Sequence, residues 1–236
     1  VVNKIMKVAV ITPYYSEGRY LLKRCIDSVA KQTYTNITHI LVSDGFPSDY
    51  VLNHPDVKSG KIWHFKIPNC GDYGDTPRAI GSAVASANGF DAICFLDADC
   101  WYEADHIEQA LSKVTDQTPI VTTARKLRDL QGEFIADDLE SDGISFCDTN
   151  CYLIARPAFQ FIGVWTFKER KYGIIGDRIF WANLPKQHIA RSEKPTLNYM
   201  TKFAVHYLGY GKIPPPEAIQ FVNGPDGLPV AEKYYK

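Results

Sequence analysis

Asp97 and Asp99 flank Ala98 where an apolar run, Ala92-Ile93-Cys94-Phe95-Leu96, gives way to polar residues. If the backbone stays extended past Leu96, alternation sends both carboxylates to the same side. Two close carboxylates repel and raise each other's pKa unless a cation sits between them. Hard oxygen ligands of this kind suit Mg²⁺ or Mn²⁺, which take few protein carboxylates and complete their shell with diphosphate oxygens. A cation held there would neutralise the charge growing on a departing diphosphate. As a bare pattern Asp-x-Asp also fits a capping pair on a solvated turn. Its position at the end of a buried strand favours the metal.

The elements that must position this pair are legible in the first half of the chain. Val8-Ala9-Val10-Ile11 and Ile40-Leu41-Val42 are continuous apolar runs, as strands buried on both faces require. A shorter strand is expected over Ile62 to Phe65 and another over Pro119 to Thr122. Between them, Leu22, Cys25, Ile26 and Val29 recur at helical spacing. Thr76 as cap and Pro77 at the first helical position predict a second helix, running through Ala83 and Ala87 to Asn88-Gly89. A third is expected from Asp105 to Val114.

This β-α-β rhythm predicts a mostly parallel sheet with helices on both faces, which binds ligands outside the carboxyl ends of its strands. Thr12-Pro13-Tyr14, Ser43-Asp44-Gly45 and Asp97-Ala98-Asp99 all fall at such ends. The fold would bring the three together. From about Asp129 the rhythm weakens, and glycines punctuate shorter segments, so an α+β half covering the edge of the sheet is expected. Residues 209–236, with Pro214-Pro215-Pro216, Pro225 and Pro229, read as an extended tail packed on the surface. The organisation predicted is one domain over 1–236, with a sheet-forming, ligand-binding half to about 128, an α+β half over about 129–208, and the tail.

Composition narrows the class. The formal net charge of -1 offers no field for nucleic acid or an anionic membrane, although peripheral membrane contact stays open. The six cysteines include no C-x-x-C pair and read as reduced, partly buried residues. Val1–Val10 lacks the apolar stretch of a signal peptide, and no run is long enough to span a bilayer. A cytoplasmic protein without a transmembrane segment is the expectation.

Five stretches, in order, carry a resemblance. They are Ile11-Thr12-Pro13-Tyr14-Tyr15, Leu21-Leu22 through Ser28-Val29 to Gln32-Thr33-Tyr34, Val42-Ser43-Asp44-Gly45, Arg78 to Gly81, and Phe95-Leu96-Asp97-Ala98-Asp99-Cys100-Trp101. Together the chain resembles the family 2 glycosyltransferases of GT-A fold, with their Rossmann-like nucleotide-binding sheet. The resemblance implies an inverting, metal-dependent transfer of a hexose from a nucleotide sugar, UDP-sugars being the commonest donors, in glycan or polysaccharide synthesis. It implies that Thr12, Pro13 and Tyr14 line the nucleoside pocket and that Asp44 accepts a hydrogen bond from the base. Arg78 would steady the uridine or the diphosphate, for which a forked cation is suited. Within the Asp97-Ala98-Asp99 stretch, Asp99 would ligate Mn²⁺ or Mg²⁺ directly, and Asp97 would hold the ribose side or a metal-bound water. Ser43, Phe46 and Ala79 depart from the family pattern.

In the second half, Gly176-Asp177-Arg178-Ile179-Phe180-Trp181 resembles the family's Glu-Asp pair heading a helix, with Gly176 in place of Glu. Asp177 would then be the general base on the acceptor hydroxyl, kept ionised by the helix N-terminus. Its bland alternative is a helix cap. His206, in Phe203-Ala204-Val205-His206-Tyr207, would complete the metal shell, or else be a satisfied core histidine on an apolar strand. Thr149 to Arg156 falls where relatives build the acceptor side. Trp165 and Tyr172 read as stacking surfaces or as packed aromatics. The acidic run Asp137, Asp138, Glu140 and Asp142 reads as a solvated loop. The acceptor would be a glycan, a lipid-linked sugar or a small molecule. Rival readings are a sugar-phosphate nucleotidyltransferase, disfavoured because the turn after the first strand is neither glycine-rich nor basic, and a non-catalytic nucleotide-sugar binding module.

Overall fold

The protein is described here as a computed structural model covering residues 5–234. The outer ends of the Val1–Val10 segment and of the tail lie outside the described residues. All seven residues of β1 (Val8–Tyr14) are buried, as a strand covered on both faces must be. Helix α1 (Arg19–Ala30) turns Leu22, Cys25, Ile26 and Val29 inward. Then follow β2 (Ile37–Asp44), two single-turn helices α2 (Asp49–Leu52) and α3 (Pro55–Lys58), and β3 (Ile62–Ile67). Helix α4 (Asp75–Ala87) leads to β4 (Ala92–Phe95), the short β5 (Trp101–Tyr102) and α5 (His106–Leu111).

The second half contributes β6 (Ile120–Arg128), β7 (Phe134–Asp137), β8 (Tyr152–Ala155), α6 (Val164–Phe167), α7 (Gly176–Asn183), β9 (Ile189–Met200) and α8 (Ala204–Leu208). These strands do not cover the edge of the first sheet. They extend it, giving one nine-stranded sheet of order β3-β2-β1-β4-β8-β6-β9-β5, with β7 paired to β6. The β1, β2, β3 and β4 pairings are parallel, whereas β8 runs antiparallel to both β4 and β6. The sheet is therefore parallel over β1 to β4 and mixed beyond them. The tail is not merely extended, because β10 (Ile219–Asn223) and β11 (Pro229–Lys233) form a separate antiparallel hairpin.

Parallel register aligns the functional strand ends. Tyr14 pairs with Ser43 and Ile11 with Phe95, so Pro13-Tyr14, Asp44 and the Asp97–Asp99 turn emerge at one edge. Two local expectations change. Helix α4 begins at Asp75 after Gly74 at φ 87, so Thr76 is not its cap. The Thr76 amide and hydroxyl instead donate to Asp72 Oδ2. His206 sits in α8 and not on a strand, since a short apolar run is compatible with either state.

Gly81 lets α4 lie directly on β1, because a Cβ there would come within 2.6 Å of Ile11 Cγ2. Gly81→Val should therefore destabilise the fold by about 2 kcal/mol or more through overpacking. Denaturant unfolding, with midpoints compared at unchanged slope, checks this.

Candidate functional site

At the carboxyl edge of β1, β2 and β4 the fold opens a cleft of about 700 Å³. Its floor carries Pro13, Tyr14, Asp44, Asp97, Ala98 and Asp99, and Arg78 enters from the first turns of α4. The wall on the other side comes from the end of β9 and the residues after it, Tyr199, Met200, Lys202 and Phe203. Every residue expected at the donor site except Thr12 lines this cleft. Thr12 is fully buried behind it, with its Oγ1 2.8 Å from His39 Nε2.

Asp97 is held on all sides. Arg78 Nη2 donates to its Oδ1 at 2.5 Å and Asn150 Nδ2 donates to its Oδ2 at 2.9 Å. The Asp97 amide in turn donates to Asn150 Oδ1 at 2.5 Å. The same Asn150 Nδ2 donates to Asp148 Oδ1 at 2.8 Å. Asp148 Oδ2 accepts from Arg125 Nη1 at 2.7 Å, and Asp138 Oδ2 accepts from Arg125 Nε at 2.6 Å. Arg125, Asp138, Asp148 and Asn150 are all buried, so Asp138 belongs to a core charge network and not to a solvated loop. Pairing of this kind is what makes buried charge tolerable.

Asp99 is different. The backbone turns after Leu96, the Cys100 amide bonding to the Asp97 carbonyl, so the two carboxylates are not carried by extended alternation. Asp99 keeps part of its surface open to the cleft, yet burial, with the Asp97 charge next, pushes its pKa up to about 7. Its carbonyl is pinned by Arg24 Nη2 at 2.9 Å, and the Arg24 guanidinium stacks 3.7 Å from the Trp101 ring. Asp44 fixes its own loop by accepting from the Cys70 amide at 2.6 Å through Oδ1. Asp44 is otherwise buried where it lines the cleft.

Asp177 is the second residue of α7, and Asp177 Oδ1 accepts from the Arg178 amide at 2.7 Å. It does not line the cleft. Burial, followed by the charge of Asp148, raises its pKa to about 6. Burial thus outweighs the helix terminus that the sequence reading invoked. Gly176 is explained by close approach. A Cβ there would lie 2.9 Å from Lys168 Nζ and 3.0 Å from Asp75 Oδ1, the two members of a buried ion pair. Trp165 is buried against Phe180 and cannot offer its face to an acceptor.

His206 Nδ1 lies 2.7 Å from Thr201 Oγ1, and His206 Nε2 lies 3.9 Å from Glu140 Oε2. Glu140 also accepts from Arg178, and its contacts with His206 and Arg178 hold its pKa down to about 2. Among the described residues no three His, Cys, Asp or Glu side chains gather as a ready metal cluster. Asn150 and Lys202 were not singled out from sequence. Lys202 had no local signal, whereas Asn150 stood in a stretch noted for the acceptor side and proves to hold the donor-side aspartate.

A sheet that is parallel in its first half thus brings acidic and cationic groups together at its strand ends. Residues 9–196 match the family described as Glycosyl transferase family 2, and the chain belongs to that family. It is 29% identical over 112 residues to glycosyltransferase GlyA of Streptococcus pneumoniae serotype 4, covering 47% of this chain and 15% of that protein. It is 28% identical over 114 residues to the putative glycosyltransferase EpsH of Bacillus subtilis, covering 48% of this chain and 32% of the relative. The fold agrees with that of S. aureus TarS residues 1-349 in complex with UDP-GlcNAc, at a TM-score of 0.61 and 17% identity, over 83% of this chain and 59% of that one. The chain thus spans less than two thirds of each of these chains. Among the described residues no helix is long and apolar enough to cross a membrane.

Asn150→Leu removes, at similar volume, the partner of the Asp97 amide, of the half-buried Asp97 carboxylate and of the buried Asp148 carboxylate. It should cost about 2–4 kcal/mol of stability, each orphaned buried group losing about 1–3 kcal/mol. Asn150→Asp should fail to restore that stability at neutral pH, because it places a third carboxylate between Asp97 and Asp148. Chemical denaturation of both variants checks this.

Proposed function

We propose that the protein is an inverting, metal-dependent glycosyltransferase that moves a hexose from a UDP-sugar to an acceptor hydroxyl. The observation that carries this reading is the convergence of Asp44, Arg78, Asp97 and Asp99 in one cleft, with Asp177 beyond it at the head of α7. Asp44 would accept from the base, and Arg78, with Lys202 on the facing wall, would hold the diphosphate. UDP is the first donor to try because TarS, whose fold this chain shares, has been solved in complex with UDP and with UDP-GlcNAc. The acceptor would be a glycan, a lipid-linked sugar or a small molecule, in polysaccharide or related synthesis.

The residues fit a divalent cation at Asp99. Its carboxylate is crowded and protonates easily without a cation, and bound metal reverses that preference. Asp97 is oriented by Arg78 and Asn150, one on each oxygen, and stays 30% exposed, so it suits a metal-bound water or the ribose. His206 would join the shell by leaving Glu140. Mn²⁺ or Mg²⁺ would supply neutralisation of the leaving diphosphate. The protein's part is orientation plus fixed cationic groups, the usual source of most rate enhancement.

Asp177 takes the proton from the acceptor hydroxyl in this reading, and it needs to be ionised to do so. With a pKa of about 6 it is charged at neutral pH and still a useful base. The rate kcat/KM should therefore fall below about pH 6, and Asp177→Asn should lose about 10²–10⁴-fold in kcat. The stability effect has the opposite sign. A carboxyl whose native pKa lies above its unfolded value loses stability as pH rises from about 4 to 6. Asp177→Asn should accordingly be more stable than the wild type above pH 6, by roughly 2 kcal/mol. A transfer assay with UDP-hexoses, reading the anomeric configuration of the product, tests the whole. Retention of configuration, or near-normal turnover in Asp177→Asn, would contradict it.

A further inference from the structure

Among the described residues Tyr73 is the one non-glycine residue with a positive φ, at 59°, and it stands between Gly71 at 58° and Gly74 at 87°. The left-handed conformation costs a side-chain-bearing residue about 1–2 kcal/mol and costs glycine nothing. Burial does not repay that cost, because Tyr73 is 65% exposed. Strain kept at an exposed residue points to a ligand.

The local contacts say which part of a ligand. The Tyr73 carbonyl accepts from Arg78 Nη1 at 2.9 Å, so its backbone is fastened to the guanidinium assigned to the leaving diphosphate. Its ring lies against the segment Arg170–Ile175, which runs straight into α7 and Asp177. A Cβ at Gly173 would come within 2.8 Å of Tyr73 Cδ2. Tyr73 also lines the cleft. The ring thus stands between the group that holds the leaving diphosphate and the segment that carries the base. In an in-line displacement the transferred sugar occupies that interval. Aiming the carbonyl at Arg78 explains the backbone but not the tyrosine, since glycine would aim it at lower cost.

We propose that Tyr73 is a contact residue for the sugar of the donor, its ring forming a wall on which the apolar face of the transferred hexose rests. This rests on the donor reading given above, and the experiment separates the two. Binding of UDP, UDP-glucose, UDP-galactose and UDP-N-acetylglucosamine is measured calorimetrically with Mn²⁺ for the wild type, Tyr73→Gly and Tyr73→Phe, alongside thermal unfolding.

The glycine variant should unfold at or above the wild-type midpoint and bind UDP within about twofold of wild type. It should bind the best wild-type UDP-hexose about fivefold to tenfold more weakly, the scale of one aromatic contact. Tyr73→Phe should match the wild type. Equal weakening of UDP and UDP-hexose, unchanged binding of both, a wild type that binds UDP but no UDP-hexose, or a lowered midpoint accompanied by loss of both ligands would each overturn the contact. A wild type that binds no UDP would instead overturn the donor reading, and this contact with it.

Discussion

The amide of Asn150 uses both of its faces on Asp97, giving to the carboxylate and taking from the backbone N–H. One buried side chain thereby fixes the strand-end aspartate and passes the constraint to Asp148, Arg125 and Asp138. Arg78 closes the chain from α4. Breaking any member leaves a charge or a polar group uncompensated in the core. The parallel half and the mixed half therefore have to dock in one register, or the network fails. That register sets Asp44, Arg78 and Asp99 around a single cleft.

The two aspartates of the Asp97-Ala98-Asp99 turn serve opposite ends. Asp97 has a fixed donor on each carboxylate oxygen. Asp99 is crowded by protein and left without a strong donor beyond the weak Cys100 thiol. The same division separates the saturated Asp148 from Asp177, which sits close enough to feel its charge. Asp99 and Asp177 are thus both carboxyls that burial pushes up, one lining the cleft and one outside it.

Most of the first half was legible because its strands are unbroken apolar runs and their polar ends are the site. The parallel order needs no information beyond the β-α-β rhythm. The second half was not legible in the same way. Only the start of β6 was expected, over Pro119 to Thr122, because Thr122, Thr123 and Arg125 are buried polar residues that interrupt its apolar pattern. Strand β5 is two residues long. Arg125 meets partners 13 and 23 positions away, a pairing that no local pattern encodes. Asp138 therefore read as part of a solvated acidic loop. The family resemblance placed Asp177 correctly at the head of a helix, but the burial that raises its pKa comes from tertiary packing. The strain at Tyr73 left no trace in residue type, because tyrosine is not a turn residue.

The central claim is that this cleft binds UDP through a metal held at Asp99. Thermal unfolding with UDP, GDP and CMP, each with and without Mn²⁺, tests it in the wild type and in Asp99→Ala. A ligand specific to the native state stabilises it by about 2.7 kcal/mol at a hundredfold excess over its dissociation constant. The account predicts that UDP raises the wild-type midpoint when Mn²⁺ is present, that GDP and CMP do so far less, and that Asp99→Ala abolishes the shift. A shift that is equal without metal, survives in Asp99→Ala or is the same for all three nucleotides would contradict it.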